Sequence, residues 1–136
     1  MFNLVIKDEK FIENLNDNIN MALKVSSSFI AFSFYSNGEM YRIPCRDILY
    51  IEKVSNDNIS AIHTSERVYQ IRKSIKQIEG ELFDIAFFKT HRSCIVNMRN
   101  VTHVDFEKGL IFFNNKSISL ISRSRKRLFK EMLYVI

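Results

Sequence analysis

The sequence predicts a mostly β domain with one short helix in its middle and a helix at either end. Two observations carry this. From Phe29 onward, apolar residues recur with a period of two in short runs separated by polar turn residues, the mark of half-buried strands. A helical period appears in only three stretches, near residues 8–25, 74–82 and from about 122 to the C-terminus. The length of 136 residues fits a single domain, and 46% hydrophobic with 26% charged residues is ordinary globular usage.

Taken in order, residues 8–25 place Phe11, Leu15, Ile19 and Leu23 four apart, with Ile12 and Ala22 beside them. The other side carries Asn14, Asn16, Asp17, Asn18 and Asn20, which make this a mediocre helix former. Ser26-Ser27-Ser28 breaks the pattern, so 1–28 reads as an amphipathic linker helix and 29–136 as the folded domain. Strands are expected over 29–35 and 40–43, joined by the hairpin signal Asn37-Gly38. Further strands are expected over 48–53, 59–63 and 67–71, with Ser55-Asn56-Asp57-Asn58 as a turn. Ile75, Ile78 and Leu82 share one face of the middle helix, which Gly80 weakens. Short strands follow around 95–96, 101–104, 110–113 and 118–121, the last two joined through Asn114-Asn115-Lys116. Ser122 is a natural N-cap for the final helix, which carries Leu128, Met132 and Val135.

Several function classes fall away. The longest apolar runs, such as Ile85-Ala86-Phe87-Phe88, are far shorter than the ~20 residues that cross a bilayer, so no membrane partner is expected. Lys7, Asp8, Glu9 and Lys10 stand where a signal peptide would be apolar, and two cysteines make no disulfide framework, which points to the cytoplasm. No glycine-rich phosphate loop, nucleophile turn or zinc spacing is present, so neither an enzyme nor a cofactor or metal is expected.

Charge is more informative. Residues 1–40 hold three basic and five acidic side chains, whereas 41–136 hold 17 and 10. A basic domain behind a mildly acidic leader points to a polyanion, nucleic acid first. Ser122-Arg123-Ser124-Arg125-Lys126-Arg127-Leu128-Phe129-Lys130 packs five cations into nine residues. Arg123 and Arg125 then fall in the first helical turn, where the macrodipole disfavours cations. That placement makes sense if they meet phosphate oxygens together with free backbone N–H groups; a solvated basic face is the alternative. Lys89-Thr90-His91-Arg92-Ser93 is the second tract, able to donate to phosphates and, through Arg92, to a guanine edge. His91, between apolar runs, reads by itself first as a satisfied structural group and only second as a phosphate donor.

These residues also carry a resemblance. Arg46-Asp47-Ile48-Leu49-Tyr50-Ile51-Glu52 resembles the opening "D-I-x-Y-I-E" strand of the LytTR DNA-binding domain. Ile75-Lys76-Gln77-Ile78-Glu79-Gly80-Glu81-Leu82 is similar to that family's "L-x-x-L-E-x-x-L" helix. Phe88-Lys89-Thr90-His91-Arg92-Ser93-Cys94-Ile95-Val96-Asn97 resembles its "F-x-x-H-R-S-x-I-V-N" signature almost letter for letter. Residues 101–105 and Ser122-Arg123-Ser124 fit its last strands and helix start. The likeness covers roughly 40–130 and is strongest to AgrA- and VirR-like response regulators.

The resemblance implies a compact fold of about ten short, mainly antiparallel strands whose loops enter successive major grooves of double-stranded DNA at promoter sites with repeated half-sites. It implies a non-enzymatic output domain of a bacterial two-component transcription regulator. Residues 55–58, 89–93 and 122–125 would face DNA. Arg123, Arg92 and Asn58 would touch bases, although Asp57 would repel phosphate beside Asn58. Lys89, His91, Ser93, Ser122, Arg125, Lys126 and Arg127 would touch phosphates. Most such regulators carry a receiver domain ahead of the DNA-binding domain, and the residues before Phe29 are too few to form one. The chain is therefore expected to be a fragment or a stand-alone protein, its N-terminal stripe seeking a receiver, a second protomer or the β core. A basic β module that binds a partner protein, and an RNA-binding β domain, are the alternatives.

Overall fold

The computed structural model describes residues 31–135; the predicted linker helix lies outside them. Ten strands form three antiparallel sheets. A hairpin of β1 (Ala31–Ser36) and β2 (Glu39–Pro44) comes first. A five-stranded sheet follows from β3 (Ile48–Ser55), β4 (Ile59–Thr64), β5 (Val68–Ile71), β6 (Phe87–His91) and β7 (Cys94–Asn97). Its strand order is β5-β4-β3-β7-β6. The third sheet, ordered β10-β9-β8, contains β8 (Val101–Asp105), β9 (Leu110–Phe113) and β10 (Ile118–Leu120). The described residues also form two α-helices, α1 (Ile75–Glu81) and α2 (Lys126–Val135).

Local chemistry accounts for the punctuation. Asn37 and Gly38 both take positive φ, 51° and 80°, as a two-residue hairpin turn with the right twist requires. Ser74 and Gln77 form a reciprocal capping box: the Ser74 hydroxyl accepts from the Gln77 backbone N–H at 3.1 Å, and the Gln77 side-chain Oε1 accepts from the Ser74 N–H at 2.9 Å. At Gly109 (φ +69°) a Cβ would stand 3.0 Å from the Ile121 carbonyl oxygen, so the β8–β9 turn can approach the segment after β10 only without a side chain.

The five-stranded sheet is buried on both faces, which explains the continuous apolar runs of its central strands. One face packs Ile48, Ile51, Ile62 and Ile95 against Phe32 and Phe34 of the hairpin and Ile75 and Ile78 of α1. The other packs Leu49, Tyr50, Phe88 and Val96 against Ile111 and Phe113 of the third sheet and Phe129 of α2. An irregularity in β3 between Ile48 and Tyr50 sets Leu49 and Tyr50 toward the same core, as a bulge does. Asn97, fully buried, donates to the Cys45 and Ile48 carbonyls at 3.0 and 2.9 Å and so stitches β7 to the entry of β3.

Two expectations are corrected. No strand was expected over Phe87–His91, yet it is β6. Its inward positions are Phe88 and Thr90, and a buried threonine does not register in an apolar alternation. The final helix was expected to start at Ser122, but α2 begins at Lys126. Residues Arg123–Arg125 form a separate 3-10 turn, for which Ser122 provides no side-chain cap. The Ser122 N–H donates instead to the Thr90 carbonyl at 2.9 Å, so tertiary pairing with β6 sets the backbone there. Among the described residues no helix is long and apolar enough to cross a membrane.

Candidate nucleic-acid interface

The β6–β7 hairpin turns through Arg92 and Ser93, with His91 paired to Cys94. Three contacts fix this tip. The Ser93 N–H donates to Nδ1 of His91 at 3.1 Å, filling a bond that a tight turn would leave open. That bond needs the lone pair on Nδ1, so in the neutral ring the proton sits on Nε2. The Ser93 carbonyl accepts from the Lys53 N–H at 2.9 Å, tying the tip to β3. Behind the tip, the Cys94 thiol lies 2.9 Å from the Ser119 hydroxyl in the core. Burial pushes the Cys94 thiol up, with the Ser119 hydroxyl pulling the other way, and burial raises Cys45 to about 11. Both are protonated core thiols at neutral pH rather than nucleophiles.

The segment after β10 is laid against the same hairpin. Nε of Arg125 donates to the Lys89 carbonyl at 2.9 Å, and the guanidinium lies 4.7 Å over the Phe88 ring. Together with the Ser122–Thr90 bond, this holds the 3-10 turn beside β6. A hollow of about 540 Å³ opens between them, lined by Glu79, Lys89, His91, Arg92, Ser122, Ser124 and Arg125. On the far side of Arg92 a second hollow of about 610 Å³ is lined by Lys53, Val54, Ser55, Asn56, Arg92 and Ser93. Arg92 is exposed and belongs to both.

Segments far apart in sequence thus form one continuous surface. Lys89, His91, Arg92, Ser93, Ser122 and Arg125 all line its hollows. Arg123 is exposed on the adjoining 3-10 turn without lining either. Asn58 is also exposed, but it takes the left-handed φ of 58° that closes the β3–β4 turn, and its neighbour Asn56 lines the second hollow instead. Lys126 leans over Gly109, its Cε 3.6 Å from where a Cβ there would stand. Arg127 is 93% exposed and pairs with Glu131 at 3.5 Å.

Asn56 and Ser124 fall within the segments 55–58 and 122–125 expected to face DNA, though neither was assigned a contact, whereas Lys53 and Glu79 lie outside those segments. Lys53 directly follows the "Y-I-E" strand and Glu79 is a letter of the helix motif, so the signal existed only as proximity to motifs. Glu79 is the acid of the first hollow, its Oε1 3.8 Å from Nζ of Lys89. Among the described residues no group of three or more His, Cys, Asp or Glu side chains could hold a metal ion.

Comparison with known proteins gives this surface its context. Accessory gene regulator protein A of Staphylococcus aureus, from strains N315 and MW2, is 26% identical to this chain over 70 residues. That stretch covers 52% of this chain and 29% of those relatives, so most of their length lies outside the match. A solved LytTr DNA-binding domain from Bacillus cereus superimposes with a TM-score of 0.63 at 21% identity, covering 76% of this chain and 95% of that one. The fold is therefore shared. The profile of the LytTr DNA-binding domain matches residues 38–134, from the β1–β2 turn through α2, and the chain belongs to that non-catalytic family.

Proposed function

We propose that this domain binds double-stranded DNA sequence-specifically as the output module of a bacterial response-regulator-type transcription regulator in the cytoplasm. The observation that carries the reading is Arg92: an exposed guanidinium on a pinned hairpin tip, shared by two hollows whose walls hold most of the predicted contact residues. A rigid tip flanked by hydrogen-bond donors suits insertion of a loop into a groove, with phosphates on either side.

In this reading Arg92 and Arg123 read guanine edges through the planar fork of the guanidinium. Asn58 contacts an adenine at the edge of the surface. Lys89, Ser93, Ser122, Arg125, Lys126 and Arg127 contact phosphates. His91 joins them through Nε2–H while its Nδ1 keeps the turn closed. Arg125 can do so only with the terminal N–H groups, since Nε is committed to the Lys89 carbonyl. The apolar stripe Phe11, Leu15, Ile19 and Leu23 would meet a receiver domain or a second protomer.

The test is selection of binding sites from a random duplex library, followed by titration of the selected site against salt. The expected result is a consensus with repeated half-sites and a log–log salt slope near −0.9 per phosphate neutralised. Failure to select any duplex would overturn the reading. Tighter binding to single-stranded RNA, or salt-insensitive capture of a protein, would point to the two alternatives.

A further inference from the structure

The two hollows beside Arg92 differ in one respect. The second is lined by Lys53, Val54, Ser55, Asn56, Arg92 and Ser93, with no carboxylate among the described residues, and suits a phosphate. The first contains Glu79 among Lys89, His91, Arg92 and Arg125. A fold that needed only phosphate affinity there would leave the acid out, because a carboxylate repels the phosphate that its neighbours attract.

The ion pair with Lys89 does not account for Glu79. The 3.8 Å separation is too long for a direct hydrogen bond, and the two side chains remain 31% and 49% exposed. Wet pairs of this kind contribute little to stability. Glu79 also stands outside the core, since α1 buries Ile75 and Ile78 while Glu79 is exposed. What the carboxylate adds is an ionised acceptor in a hollow whose cations, and the His91 Nε2–H, can only donate.

That combination matches a base-pair edge. In the major groove a G·C pair presents two acceptors, O6 and N7 of guanine, beside one donor, the N4 amino group of cytosine. The cations and the imidazole can read the guanine but leave the cytosine amino group to an acceptor; the Ser122 and Ser124 hydroxyls, which lie 3.4 Å apart, are neutral acceptors, whereas Glu79 offers a charge-assisted one. We propose that Glu79 is a specificity-determining residue that accepts from a cytosine N4 amino group next to the guanine read by Arg92. The proposal rests on the DNA-binding reading above and deepens it: the first hollow takes a base edge, the second a phosphate. Lys89 is released from Glu79 toward the backbone when DNA seats.

The experiment compares binding-site selection by the full chain with that by Glu79→Ala and Lys89→Ala, each followed by titration of the selected and a scrambled duplex at fixed salt. For Glu79→Ala the expected result is an unchanged melting temperature and loss of preference at one G·C position. Discrimination there should fall about tenfold, the scale of one base-edge contact, while affinity for the scrambled duplex rises several-fold. Lys89→Ala should weaken both duplexes alike and leave the base preferences as they are. Preferences identical to wild type at every position in Glu79→Ala would overturn the proposal. So would loss of the same preference in Lys89→Ala, because Glu79 would then act only by positioning that lysine. If wild type selects no duplex at all, the DNA-binding reading itself falls and takes this proposal with it; selection by wild type with an unaltered Glu79→Ala fails this proposal alone.

Discussion

Arg125 and Arg92 face the same hollow and are built in opposite ways. Arg125 is half-buried, bonded through Nε to the Lys89 carbonyl and stacked over Phe88. Arg92 is exposed, on a tip whose rigidity comes from other groups: His91, and the Lys53 N–H that meets the Ser93 carbonyl. In the sequence both are arginines in basic tracts. The difference teaches that a cation count in such a tract is not a count of DNA contacts. Some of the charge is mortar, and the free charge is aimed by hydrogen bonds of backbone and ring groups rather than by ion pairs.

The sharpest way to break this comparison is at the anchored end. Arg125→Ala removes a charge-assisted hydrogen bond and a cation–π contact, which together should cost about 2 kcal/mol of stability. It should also weaken DNA binding, because the 3-10 turn carrying Arg123 loses its hold on β6. Arg125→Lys keeps the charge but cannot reproduce the planar contact with Phe88, so most of the stability loss should persist. Thermal melting of the three proteins decides it; a melting temperature unchanged in Arg125→Ala would remove the anchoring role.

Arg92→Ala is the converse. Its melting temperature should match wild type, and affinity for a selected duplex should fall by about 1–3 kcal/mol, as for loss of a bidentate guanine contact. The loss on a scrambled duplex should be much smaller. Arg123→Lys extends the test to the second free arginine: if it restores full discrimination, that residue acts as charge alone. Equal losses on selected and scrambled DNA for Arg92→Ala would reduce it to another phosphate contact.

His91 lies between these extremes. His91→Ala leaves the Ser93 N–H without its partner at the hairpin tip and should cost about 1 kcal/mol of stability. Binding should fall with it, through a looser Arg92 and the lost Nε2–H. His91→Asn, whose carbonyl can accept from a backbone N–H two residues on, should recover part of the stability. Equal melting temperatures for wild type and His91→Ala would show that the tip holds without the imidazole.

Much of this was legible in the residues. Outer strands such as β1 alternate cleanly because one face meets solvent, and Asn37-Gly38 announced its turn. The motif set located the hairpin tip and the segment at Ser122. The β7–β6 side of the five-stranded sheet was harder, since central β7 is buried throughout and the edge strand β6 uses Thr90 as an inward residue, so neither shows an apolar period of two. The start of α2 was misread because Ser122 has the chemistry of a cap but spends its N–H on β6. The division of labour among the cations was invisible for a related reason. Whether an arginine is mortar or contact depends on Phe88 and a carbonyl 36 positions away, and Glu79 enters the surface only through folding of α1 against the sheet.

The smallest effect belongs to the far end of the basic segment. Arg127 is almost fully exposed and, among the described residues, pairs with Glu131 in the next turn, and Lys126 lies along the Gly109 turn. Neither holds the fold, so Lys126→Gln with Arg127→Gln should leave melting nearly unchanged. If both meet phosphates, the double variant should flatten the salt slope by about 1.8, with selected and scrambled duplexes weakened by similar factors. Glu131 sharpens the reading, because its carboxylate competes with phosphate for Arg127. Glu131→Gln should therefore tighten binding to both duplexes slightly, and only while Arg127 is present. If the double variant weakens the selected duplex alone, this part of α2 reads sequence and the boundary between anchoring and reading cations has been drawn too early in the chain. If it changes neither duplex, the boundary moves the other way: the contact surface ends at Arg125, and Lys126 and Arg127 are a solvated helix face.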